Sequence, residues 1–159
     1  MAATPLPDIN EVIRLFTDLS GRPTAAKRIT APAAPRGAMV VATYARDDNA
    51  RVGVCWLDLP AAASLAAALT LMPAGVADDS VRAGRLLEPL DENIREVLNI
   101  SARLFTGPSS LRVFLRDVHL PPTKLPPDLT TLVARTSSTL QVEMTITGYK
   151  PGKLGFFGL

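Results

Sequence analysis

An α+β fold follows from three features of the sequence, an antiparallel sheet with two long helices packed on one face plus a short N-terminal helix. Leu90 to Phe105 (LDENIREVLNISARLF) repeats its apolar residues at helical spacing. Ala61 to Met72 is almost wholly apolar and rich in Ala and Leu, which suits a helix buried against a sheet. Ala38 to Ala45 and Arg51 to Asp58 flank the turn signal Arg46-Asp-Asp-Asn and read as a hairpin, while Leu140 to Thr147 alternates with period two.

The elements take their order from these signals. Pro7-Asp8 opens an amphipathic helix with Ile9, Val12, Ile13, Phe16 and Leu19 at helical spacing, and Gly21 and Pro23 end it. Thr24 to Thr30 reads as a short strand, and Ala31 to Pro35 as a proline-rich turn. Pro60 sits where first-turn prolines sit and opens the buried helix. Pro73 to Gly75 and Asp78 to Arg85 read as a linker to the helix at 90–105, which Gly107-Pro108 stops. Leu111 to Leu120 reads as a strand, and the pairs Pro121-Pro122 and Pro126-Pro127 as an extended connection. Leu154 to Leu159 is expected to form a last short strand.

At 159 residues the chain suits one domain, 1–159, with residues 1–22 as N-terminal helix and linker and 23–159 as the sheet with its two helices. Cations (17) barely exceed anions (15), and no Lys/Arg block forms a nucleic-acid footprint, so nucleic acid is not an expected partner. The longest apolar run, Leu59 to Ala74, is broken by prolines and too short to span a bilayer, so no membrane is expected either. Cys55 is the only cysteine, which excludes an internal disulfide and suits a reducing compartment; together with an N-terminus unlike a secretory signal, this predicts a cytoplasmic protein. Cys55 reads as a small core residue and the single His119 as structural, because one histidine without neighbours makes no metal site.

Placed at about 100° per residue, Leu90, Ile94, Val97, Ser101, Leu104 and Phe105 gather on one side of the 90–105 helix. Glu92, Glu96, Asn99 and Arg103 fall opposite, at spacings of +4, +3 and +4. Asp91 is placed to cap the N-terminus and Glu92 to meet the helix dipole. One face wants a core; the other offers two carboxylates, a carboxamide and a guanidinium to solvent or a partner. The sequence contains no Walker loop, no Gly-x-Gly-x-x-Gly and no Gly-x-Ser-x-Gly to suggest another chemistry.

This arrangement resembles the CheC, CheX and FliY group of chemotaxis phosphatases. That group carries an acidic residue or Ser, then Glu after three residues, Asn after two more, and Pro after a further 22. Here Glu96 and Asn99 hold the helical part, Glu92 stands where Asp or Ser is usual, and Pro122 follows Asn99 after 22 intervening residues. The order of elements matches over nearly the whole chain, and a second copy of the motif is absent, so the likeness is to the single-site CheX type. The resemblance implies a hydrolase acting on the aspartyl phosphate of a CheY-like receiver domain. It implies that Glu96 and Asn99 are catalytic, Asn99 positioning the water and Glu96 pairing with the receiver's Lys. Glu92, Arg103 and Pro122 would contact the partner. It implies no cofactor of its own, the Mg²⁺ being held by the receiver. The alternative is a non-catalytic binding or scaffold module of the same fold. A homodimer through strand edges is also expected, because the late strands, ending in Leu154-Gly-Phe-Phe-Gly-Leu159, are rich in apolar residues.

Overall fold

The computed structural model describes residues 6–106, 112–137 and 139–159. Asp8 starts the first helix, α1 (Ile9–Ser20), by accepting the Asn10 amide at 2.7 Å, and Gly21 ends it in the left-handed conformation at φ 67°. The short strand β1 (Thr24–Arg28) follows, then the hairpin of β2 (Met39–Arg46) and β3 (Arg51–Asp58). Asp58 ends β3 and caps the next helix, α2 (Leu59–Leu69). One carboxylate oxygen accepts the Ala61 amide at 2.9 Å and the other accepts the Lys153 amide at 3.0 Å. Partial burial, with Glu143 nearby, pushes this carboxyl above its ordinary value, while the two backbone donors act in the other direction.

After α2 come α3 (Ala74–Ala83), α4 (Leu90–Ile100), a 3₁₀ turn (Ser101–Phe105), β4 (Val113–His119), α5 (Pro127–Val133), β5 (Thr139–Ile146) and β6 (Gly152–Gly158). The six strands form one sheet in the order β1-β5-β6-β3-β2-β4, antiparallel throughout.

The sheet is covered on both faces. On one, α1, α2 and α4 meet Val40, Ala42 and Tyr44 of β2, Cys55 and Leu57 of β3, alternate residues of β5 from Leu140 to Ile146, and Leu154 and Phe156 of β6. Both long helices therefore pack on the same face, as expected. On the other, Leu129 and Val133 of α5 close over Val41, Val54, Trp56 and Phe157. Coverage from both sides explains why Val52 to Leu57 is buried without alternation. The Cys55 thiol lies inside the first layer, and burial pushes it up from its ordinary value.

Four expectations change. The stretch expected to be a linker holds α3, an ordered helix ended by Gly84 at φ 74°. Only Ala77 and Ser80 of α3 are buried, against α2, so its apolar signal is too thin to stand out. Pro127 begins α5 instead of extending the chain, a first-turn proline in a helix of seven residues. Asp91 does not cap α4; Pro89 occupies that position and Asp91 accepts the Glu92 amide inside the first turn. The late strands leave no edge, because β6 lies between β5 and β3 and β5 between β1 and β6; the edges are β1 and β4. The free late-strand edge on which the expected homodimer rests is therefore absent. The expected stop at Gly107-Pro108 lies outside the described residues, as does Leu111.

Candidate functional site

The candidate site stands on α4, whose inner side is made of Leu90, Ile94, Val97 and Leu98, all buried. Three hydrogen bonds hold the helix from behind. Asn93 donates from Nδ2 to the Ala66 carbonyl at 3.0 Å and to Thr70 Oγ1 at 2.9 Å, tying the middle of α4 to the end of α2. Tyr44, fully buried in β2, donates its hydroxyl to the Leu98 carbonyl at 2.7 Å.

Ser101 closes the helix by donating from Oγ to the Val97 carbonyl at 2.7 Å. A continued α-helix would offer the Leu98 carbonyl to the Ala102 amide; Tyr44 satisfies that carbonyl from the sheet, and the chain tightens into the 3₁₀ turn. The turn lays Phe105 between Tyr44 and Phe156, with ring centroids 4.7 and 6.2 Å apart. Gly53 makes room for it, since a Cβ there would lie 2.4 Å from Phe105 Cδ1.

The outer side of α4 presents Glu92, Glu96 and Asn99, all exposed. On an ideal helix these three span about 60° of arc. Among the described residues, neither the Glu96 carboxylate nor the Asn99 carboxamide has a hydrogen-bond partner or an ion pair. The two asparagines of α4 thus divide the work: Asn93 is spent on helix packing, and Asn99 is free to meet a partner with both a donor and an acceptor.

Arg103 and Pro122 do not share this stripe. The change from 100° to about 120° per residue in the 3₁₀ turn rotates Arg103 away from the line through Glu92, Glu96 and Asn99. Arg103 lines a cleft of about 180 Å³ with Glu11, Arg14 and Asp18 of α1. Pro122 is exposed in the turn that follows β4, where the Thr123 amide reaches the Leu120 carbonyl at 3.0 Å.

Arg95, which sequence reasoning passed over, does belong with the stripe. It is exposed, one helical turn before Asn99 and about 60° of arc from Glu92. The helical spacing alone marks it. Among the described residues no group of three or more His, Cys, Asp or Glu side chains is arranged to hold a metal ion. No described helix is long and apolar enough to cross a membrane.

A layer of three helices on an antiparallel sheet, one of them α4 with its acid-and-amide side turned outward, is a CheC/CheX/FliY-like domain, and this chain has that fold. The structure of FliY from Thermotoga maritima superposes with a TM-score of 0.55 at 15% identity, over 92% of this chain and 81% of that one. A chain of the CheX–CheY–BeF3–Mg²⁺ complex from Borrelia burgdorferi gives 0.54 at 13% identity, over 94% of this chain and 93% of that one. The FliM middle domain from H. pylori gives 0.53 at 8% identity, over 94% and 83%. No protein-family model matches the sequence, and no curated protein matches it.

Proposed function

We propose that this chain is a CheX-like phosphatase that hydrolyses the aspartyl phosphate of a CheY-like receiver domain. The observation that carries this reading is the exposed Glu92–Glu96–Asn99 stripe on a helix held rigidly from behind, in a chain of this fold. An acyl phosphate is already reactive, so hydrolysis needs little beyond a water placed in line with the phosphorus. Asn99 suits that task because a carboxamide can orient a water by donating and accepting together, without changing charge. Glu96, one turn earlier, pairs with the receiver's Lys and sets the angle of docking. Glu92 extends the contact; Arg103 and Pro122 flank it from the 3₁₀ turn and the β4–α5 connection. The Mg²⁺ belongs to the receiver's own acidic cluster.

The test is phosphate loss from CheY-like receivers phosphorylated with acetyl phosphate, followed in single turnover. Asn99→Ala is expected to abolish the acceleration and leave receiver binding nearly intact, because the amide acts in the chemical step. Glu96→Ala is expected to weaken binding as well. An Asn99→Ala rate equal to that of the wild type refutes the site. Tight binding by the wild type with no gain in hydrolysis refutes the phosphatase reading and leaves a docking module of the same fold.

A further inference from the structure

We infer that Arg95 is the specificity-determining residue that lets this helix recognise a phosphorylated partner over an unphosphorylated one. The inference rests on the reading of α4 as the receiver-facing helix and goes beyond it. A phosphoryl group brings about two negative charges at neutral pH to the point where Asn99 acts. The α4 face offers it a poor welcome, since Asp91, Glu92 and Glu96 are all acidic. Arg95 is the one basic residue in the helix. It precedes Asn99 by four residues, so the two side chains are neighbours on the helix surface, with about 6 Å of rise between their Cα atoms.

Two further observations point outward. Asp91 and Glu92 stand four and three residues before Arg95, at the spacings that make intrahelical ion pairs. Yet among the described residues Arg95 pairs with neither, which leaves its guanidinium open to a partner. The guanidinium is exposed, and the helix beneath it is fixed by Asn93 and Tyr44, so its anchor point does not drift. Across the arc, Glu96 and Arg95 lie on opposite sides of Asn99, at about 60° and 40°. That order suits a partner presenting a cation to one side of the reacting group and phosphoryl oxygens to the other. A planar fork of N–H donors binds such oxygens in pairs.

The experiment compares the wild type, Arg95→Gln, Arg95→Lys and Asn99→Ala in two assays. The first measures binding to a CheY-like receiver with and without beryllofluoride, which stands in for the phosphoryl group. The wild type should prefer the loaded receiver, and Arg95→Gln should lose about 10- to 100-fold of that preference, the range for one hydrogen bond to a charged group. Arg95→Lys should recover part of it, and affinity for the unloaded receiver should hardly change. The second assay is single-turnover dephosphorylation, in which Arg95→Gln should slow the reaction and flatten its dependence on salt. An undiminished preference in Arg95→Gln overturns the role of Arg95, whatever the rates. If Asn99→Ala is inactive while Arg95→Gln matches the wild type in both assays, the phosphatase reading stands and this inference falls. If the wild type binds neither form of the receiver, both fall.

Discussion

Replacing Tyr44 by Phe removes one oxygen atom from the middle of the protein and tests how α4 is held. The ring remains packed against Phe105, so the change isolates the hydrogen bond to the Leu98 carbonyl. Losing a buried bond of this kind costs about 1–1.5 kcal/mol, which for a domain of this size lowers Tm by about 2–6 °C.

The pH dependence adds a second signature. Burial, with the Cys55 sulfur adding to it, holds the Tyr44 phenol well above its ordinary value. A folded pKa above the unfolded one contributes stability in full below about pH 10, and that contribution is lost as pH rises from there toward the folded value. Wild type should therefore lose stability through this one group as pH rises above 10, and Tyr44→Phe should not. The deficit of the variant seen at pH 7 should shrink as pH rises past 10. Urea unfolding of the two proteins side by side at pH 7, 9, 10 and 11 measures the difference directly. A variant as stable as wild type at pH 7, or a deficit constant across the series, refutes the claim that this hydroxyl pins α4. Because the bond lies one residue before Asn99, the function proposed above predicts that the variant dephosphorylates receivers more slowly than its small loss of stability would suggest.

Three further outcomes follow from the packing. Gly152→Ala should destabilise by about 2–3 kcal/mol or fail to fold, since its Cβ would lie 2.3 Å from the Ala61 backbone nitrogen, which cannot move without shifting the start of α2; thermal melts check this. Asn93→Ala should cost about 1–2 kcal/mol in urea titrations through loss of its bonds to Ala66 and Thr70, whereas Asn99→Ala, on the same helix, should stay within about 0.5 kcal/mol of wild type. Gly53→Ala should destabilise by about 1–3 kcal/mol and change the near-ultraviolet spectrum, because the added methyl collides with the Phe105 ring.

What the sequence by itself determined is the part written in periodicity and turn chemistry. The hairpin of β2 and β3, the buried α2, the alternation of β5 and the apolar side of α4 all carry strong local signals, and these suffice for an α+β domain with both long helices on one face. The exposure of Glu92, Glu96 and Asn99 was legible for the same reason, since residues opposite an apolar stripe face away from the core. Tertiary structure alone decided the rest. Ala77 and Ser80 are too few and too small to announce α3, which becomes a helix because α2 offers a surface for it. The Leu129 and Val133 pair in α5 has meaning only over Val41, Trp56 and Phe157, from strands distant in sequence. The end of α4 depends on Tyr44, 54 residues upstream, whose hydroxyl satisfies the Leu98 carbonyl and turns Arg103 toward α1. No window along the chain contains both ends of that bond; only the sheet brings them together.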